Sequence, residues 1–153
     1  DVSMKARPFL TQDIQGVAAL LRKFITDPIA PDYFKGLPEH TVMVERIILN
    51  HYAPYSWVVD TGEEIVGVIM AHVGAMPLTP AAKVIEEVIF YIREDCRQTR
   101  AAAMLFSRWT NFARKLRDNG DVEAVIMHTL SESPMDLSHH GFSLMQKSYL
   151  MDE

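Results

Sequence analysis

Residues 83–117 read KVIEEVIFYI, then REDCRQT, then RAAAMLFSRWTNFARKLR. The first piece is rich in β-branched and aromatic residues and reads as a buried strand over 84–92. The second is a short, charged turn. The third carries Leu105, Trp109, Phe112 and Leu116 at three-to-four spacing, which predicts a helix over 100–117 with those side chains in a core and Arg108, Arg114, Lys115 and Arg117 on a solvated face. Asp118-Asn119-Gly120 stops it. Strand, basic turn and helix N-terminus form an anion-holding unit, because the first-turn N–H groups of a helix lack intrahelical partners. From 93 to 118 there are seven Arg and Lys against three Asp and Glu, a local +4; the whole chain is −5, so the rest carries −9. A basic turn on an acidic protein suits a compact anion better than a nucleic acid.

Working outward, residues 4–10 (MKARPFL) predict a short first strand that Pro8 confines to an edge or ends early. Ile14, Val17, Ala18, Leu21 and Phe24 or Ile25 predict a helix over 12–25. A loop follows, broken by Pro28, Pro31, Gly36 and Pro38, and then a second helix over 38–50. SWVVD and IVGVIMAHV are two strands joined by residues 61–64, a hairpin signal. GAMPLTPAA predicts a further turn before the strand at 84–92. VEAVIMHTL predicts another strand, SESPMDLSHHG one or two helical turns, and FSLMQKSYLM a final strand. The order is β-α-α-β-β-β-α-β-α-β in a single domain over 1–153. The strands flanking the long helix should be parallel through a right-handed crossover. The fold class is therefore α/β: one mixed sheet with helices on both faces.

The chain has 153 residues, 48% hydrophobic and 23% charged, ordinary for a globular protein with a real core. No apolar run is long enough to span a bilayer, and no secretion signal is read at the N-terminus. A single cysteine, Cys96, excludes an internal disulfide framework and fits a reducing compartment, so a cytoplasmic location is expected.

The order of elements and the sequence around Arg97 resemble the GCN5-related N-acetyltransferase (GNAT) family, over roughly residues 4–150. In that family a strand ends in a hydrophobic residue and is followed by an Arg/Gln-x-x-Gly-x-Gly/Ala turn; here these are Ile92 and Arg97-Gln98-Thr99-Arg100-Ala101-Ala102. Arg100 stands where the family usually has its middle glycine. Gly141-Phe142 is similar to the family's entry into its last hairpin, and KARPFLTQDIQGVAALLRKF to its opening strand and helix. The resemblance implies acetyl-CoA as cofactor, held by Tyr91, Ile92 and residues 97 to 102. It also implies a transferase with a small-molecule or peptide amine as acceptor, without nucleic acid or membrane, and with a homodimer left open.

Acetyl transfer to an amine needs a proton acceptor, an oxyanion donor and a proton for the departing thiolate. Glu86 and Glu87 are the base candidates. Alternation puts them on opposite faces, and Glu86 is preferred because it shares parity with Ile92 and sits where some family members carry a glutamate base. Exposure at the strand's start is the plainer reading of both. His128, at the end of VEAVIMHTL, could shuttle the proton or be a structural histidine. The tyrosine that family members often place four residues before the GF glycine is Leu137 here, leaving Tyr149, Ser131 or Ser133 as substitutes without motif support. Cys96 reads as incidental, and His139-His140 has no zinc spacing. Asp27, Asp32 and Glu39, with Tyr33 and Phe34, would give the loop after the first helix a negative, partly apolar wall suited to a cationic amine. Two rivals remain: a non-catalytic binding module of the same fold, suggested by Arg100 and Leu137, and a nucleic-acid binder, disfavoured by net charge.

Overall fold

The computed structural model describes residues 3–30, 48–76, 78–129, 136–147, 149 and 151. One five-stranded sheet runs in the order β1 (Lys5–Pro8), β2 (Trp57–Asp60), β3 (Ile65–Met76), β4 (Thr79–Ile92) and β5 (Ala124–Ile126). The first four strands are antiparallel neighbours, and β5 is parallel to β4. The parallel pair is joined by helix α2 (Ala101–Asp118), as the crossover argument requires. Helix α1 (Ile14–Thr26), entered through a 3-10 turn at Thr11–Asp13, covers the other face.

Alternation along the strands sorts the core into two layers. On the α2 side, Val59, Ile69, Ala71, Ile85 and Ile92 pack against Leu105, Trp109 and Ala113. On the α1 side, Val58, Val68, Met70 and Tyr91 pack against Val17, Leu20 and Phe24. Trp109 is fully buried and its indole N–H donates to the Tyr55 carbonyl at 2.9 Å, so the α2 aromatics are core. Arg7 ties β1, β2 and the start of α1 together, at 2.7 Å from Asp13 and 3.0 Å from Asp60. β1 ends at Pro8 on the sheet edge, where the missing N–H costs no ladder bond.

Several expectations need correction. The turn expected over GAMPLTPAA is strand on both sides: β3 and β4 stay paired out to Met76 and Thr79. Leu78, almost wholly exposed, turns the corner at φ 66°. The expected strand VEAVIMHTL shrinks to three residues, and residues 142–147 form no strand. Leu144 and Met145 point into solvent there, so β-propensity found no ladder to complete. Of the helix expected over 38–50, residues 38–47 lie outside the described residues, and Ile48–Tyr52 is a single π turn.

Candidate active site

β4 is longer than the partner on its open side. Its pairing with β5 covers only Val84, Ile85 and Glu86, leaving the run to Ile92 without a β5 neighbour. The chain after β5 is held by a side chain instead. The Glu87 carboxylate accepts the His128 backbone N–H at 3.0 Å, in place of a ladder bond. The two strands thus part at the pair of glutamates.

Register explains what each glutamate does. Met70 faces Ile89 while Ala71 faces Glu87, so Val88 is an extra residue in β4. The bulge turns both Val88 and Ile89 toward α1 and reverses the alternation beyond it. Glu86 therefore does not share a face with Ile92. Glu86 lies opposite His72 of β3, on the face of Val68 and Met70, while Ile92 packs toward α2. The parity used for Glu86 in the sequence fails at Val88, although the two glutamates do face opposite ways.

Glu87 is 3% exposed, and burial pushes its carboxyl up to about 7 against the pull of the His128 N–H. It is no solvated strand end. Glu86 remains partly open to solvent, and its carboxylate is divided between two imidazoles. Oε2 is 2.6 Å from His128 Nε2, and Oε1 is 3.3 Å from His72 Nε2. His72 went unnoticed in the sequence, where it is one more residue of a hydrophobic strand. Its signal was available: in a β3–β4 hairpin of known register it faces Glu86.

At the far end of β4 comes the turn on which the sequence resemblance puts a cofactor cradle. Arg97 and Tyr91 play structural parts. The Arg97 guanidinium donates to the Ile92 carbonyl at 2.9 Å, pairs with Asp27 at the end of α1, and lies 5.3 Å from the Tyr91 ring centre. The buried Tyr91 donates its hydroxyl to Asp27 at 2.9 Å, and burial with that contact pushes it up to about 12. Burial would raise Asp27, but Arg97, the Ile29 N–H and Tyr91 outweigh it and hold its carboxyl below the usual range. Asp27 is thus neutralised inside the protein and adds no negative wall; Asp32, Tyr33, Phe34 and Glu39 lie outside the described residues.

What the turn offers an anion is backbone. Thr99 Oγ1 caps the Ala101 N–H at 3.2 Å, whereas the N–H groups of Gln98, Arg100, Ala102 and Ala103 find no partner among the described residues. Arg100 is the N-cap at φ −75° and ψ 0°, a conformation open to any L-residue, so arginine in place of the family's glycine strains nothing. Its side chain is exposed, with no ion-pair partner among the described residues. An anion cradle of backbone donors therefore fits these residues, and the cofactor's phosphates are groups such a cradle would take.

Other candidates fall elsewhere. Tyr149 is 89% exposed, and no hydrogen bond joins it to Glu86 or His128. Ser131 and Ser133 lie outside the described residues. Cys96 is buried, which pushes its thiol up and leaves it unreactive. His140 packs edge-on against Phe106 at 4.8 Å, and His139 sits 3.4 Å from Asp136. Among the described residues no group of three or more His, Cys, Asp or Glu side chains could hold a metal ion, and no helix is long and apolar enough to cross a membrane.

The curled, mixed five-stranded sheet with helices matches solved GCN5-related N-acetyltransferase structures over nearly the whole chain, and the chain has that fold. No protein-family model matches the sequence, and no curated protein resembles it in sequence. Solved structures resemble it in fold. A predicted acetyltransferase from Clostridium acetobutylicum, described with acetyl-CoA, is 13% identical with a TM-score of 0.71 over 98% of this chain and 96% of its own. A transcriptional regulator from Bacillus halodurans C-125 is 16% identical, with a TM-score of 0.68 over 99% and 100%. A GNAT family acetyltransferase from Staphylococcus aureus is 13% identical, with a TM-score of 0.64 over 99% of both chains.

Proposed function

We propose that this protein is an acetyl-CoA-dependent N-acetyltransferase acting on a primary amine of a small molecule or peptide. The observation that carries the reading is that β4 has an acid–base cluster midway along it, where β5 parts from it, and beyond its end a turn of backbone N–H groups without partners among the described residues. Six residues separate Glu86 from Ile92, roughly 20 Å of extended chain. The N–H groups of Gln98, Arg100, Ala102 and Ala103 would hold the cofactor's phosphates, and the unpaired edge of β4 would flank its extended arm. Bound acetyl-CoA supplies the acetyl thioester. The chain's own task is to bind and orient the amine and take its proton, which falls to Glu86 with His128. Both are solvent-accessible, and their 2.6 Å contact lets a proton taken by one be shared with the other.

Calorimetric titration with acetyl-CoA tests the cradle, and absence of binding at millimolar cofactor would end the reading. Turnover is then followed as thiol release with a panel of primary amines. Binding without turnover would instead favour a regulatory binding module, a reading supported by Leu137 and by the exposed Tyr149, which leave the thiolate no assembled proton donor among the described residues.

A further inference from the structure

We propose that His72 is a positioning residue of this site: it holds one oxygen of Glu86 so that the other orients His128, whose free ring nitrogen receives the amine proton. The inference rests on the acetyl-transfer reading for its chemistry, but not for its geometry. His72 and Glu86 are cross-strand partners in the β3–β4 ladder, so their side chains share one face. Glu86 Oε1 meets His72 Nε2 at 3.3 Å, and Oε2 meets His128 Nε2 at 2.6 Å. The His128 contact is a hydrogen bond, and since an ionised carboxylate only accepts, His128 presents Nε2–H to it; His72 stands in ion-pair range of the other oxygen. In the neutral ring that leaves Nδ1 unprotonated and able to accept.

The two histidines are held differently. His72 stands on the rigid hairpin, edge-on to Tyr52 at 6.1 Å. His128 lies two residues past the end of β5, held by its N–H to Glu87. The ladder-held imidazole thus holds one carboxylate oxygen, and the other oxygen orients the ring that lies beyond the end of β5. The proton balance is simple. The amine N–H bond breaks as an N–H bond forms at His128 Nδ1, the imidazolium is neutralised by Glu86, and the half-exposed ring returns the proton to water. Among the described residues, Tyr52 packs on His72 with His51 6.3 Å from it, and Glu87 reaches His128 from the opposite face of the sheet, through the backbone N–H.

Two variants and two readouts test this. His72→Gln keeps an N–H donor near the Nε2 position but does not titrate; His72→Ala removes it. With acetyl-CoA and a lysine peptide as probe amine, His72→Ala is expected to lower kcat at least fivefold and shift the acid limb of the pH profile. Its KM for acetyl-CoA should stay within twofold, and His72→Gln should recover most of the rate. Ring nitrogen NMR supplies the second readout: His128 should be the Nε2–H tautomer in the parent and a tautomer mixture in His72→Ala. An unchanged tautomer in His72→Ala, or a His72→Gln variant as impaired as His72→Ala, would overturn the proposal. The NMR measurement needs no turnover. A protein that acetylates nothing, yet shows the tautomer change, loses the acetyl-transfer reading and keeps the role of His72.

Discussion

Glu86 and Glu87 are neighbours of identical chemistry, and the pleat gives them different properties. Glu87 is buried, with its carboxyl raised from 4.5 to about 7, so the folded state holds a proton that the unfolded chain releases. Its effect on stability is therefore absent below about pH 4.5, where both states are protonated, and grows as a penalty up to about pH 7. Glu87→Gln keeps an acceptor for the His128 N–H and removes the ionisation. It should gain stability over the parent by up to ~3 kcal/mol above pH 7 and by little at pH 4, as urea unfolding at the two pH values would show. Glu86→Gln should leave stability nearly unchanged and reduce kcat by about 100-fold with loss of the acid limb, the usual scale for losing the partner that orients and neutralises an acid–base group. An unchanged pH–rate profile would remove Glu86 from that role. The sequence identified both residues but misjudged their relation to Ile92. A bulge at Val88, a good strand residue, leaves no glycine or proline to mark it.

At the scale of elements, the turns carry the informative departures. In the β2–β3 turn, Gly62 at φ 93° supplies the left-handed residue the hairpin needs. In the β3–β4 turn the same need falls on Leu78 at φ 66°, where a side chain is penalised and nothing packs against it. Leu78→Gly should stabilise the protein by about 1 kcal/mol, measured by chemical denaturation; a destabilised variant would show that the leucine contributes through contacts. The turn before α2 presents the opposite case. Arg100 occupies a conformation that does not call for glycine, and its side chain is unengaged by any described carboxylate. It is thus available to a phosphate. Arg100→Gly should keep the helix, since glycine is a tolerated N-cap, and weaken acetyl-CoA binding roughly 3- to 10-fold, the effect of one exposed charge-assisted contact. Tighter binding in the glycine variant would mean that arginine obstructs the cradle, and equal binding that it is a bystander. The sequence located this turn because strand, charge run and helix periodicity all change within it. It could not show that Arg97 turns inward, since its partner Asp27 is distant in the chain.

For the whole molecule, the strand–helix–strand crossover and the β2–β3 hairpin were legible because hydrophobic periodicity switches sharply at their ends. The shortened β5 and the lack of a strand at 142–147 were not, because these residues have the same composition as paired strands and differ only in lacking a neighbour. The least legible feature is the clamp joining the layers. Asp27 ends α1 on one face of the sheet, and Arg97 opens the crossover to α2 on the other; their pair, with Tyr91 and the Ile92 carbonyl, holds the helix on one side in register with the cradle on the other. Asp27→Asn removes the charge and leaves Arg97 without its counter-ion. With Asp27 buried but Arg97 partly exposed, the cost should fall below that of a fully buried pair, about 2 kcal/mol. Because the folded Asp27 carboxyl is held below its ordinary value of 3.8, its stabilisation is present above that pH and lost as the pH falls through the folded value. The gap between parent and variant should therefore be full at pH 7 and narrow below pH 4 in thermal unfolding. If the clamp also sets the turn, acetyl-CoA affinity should fall in the same variant at neutral pH, where Arg97 is still charged. A variant that loses stability but binds cofactor as the parent does would confine the clamp to holding the layers together.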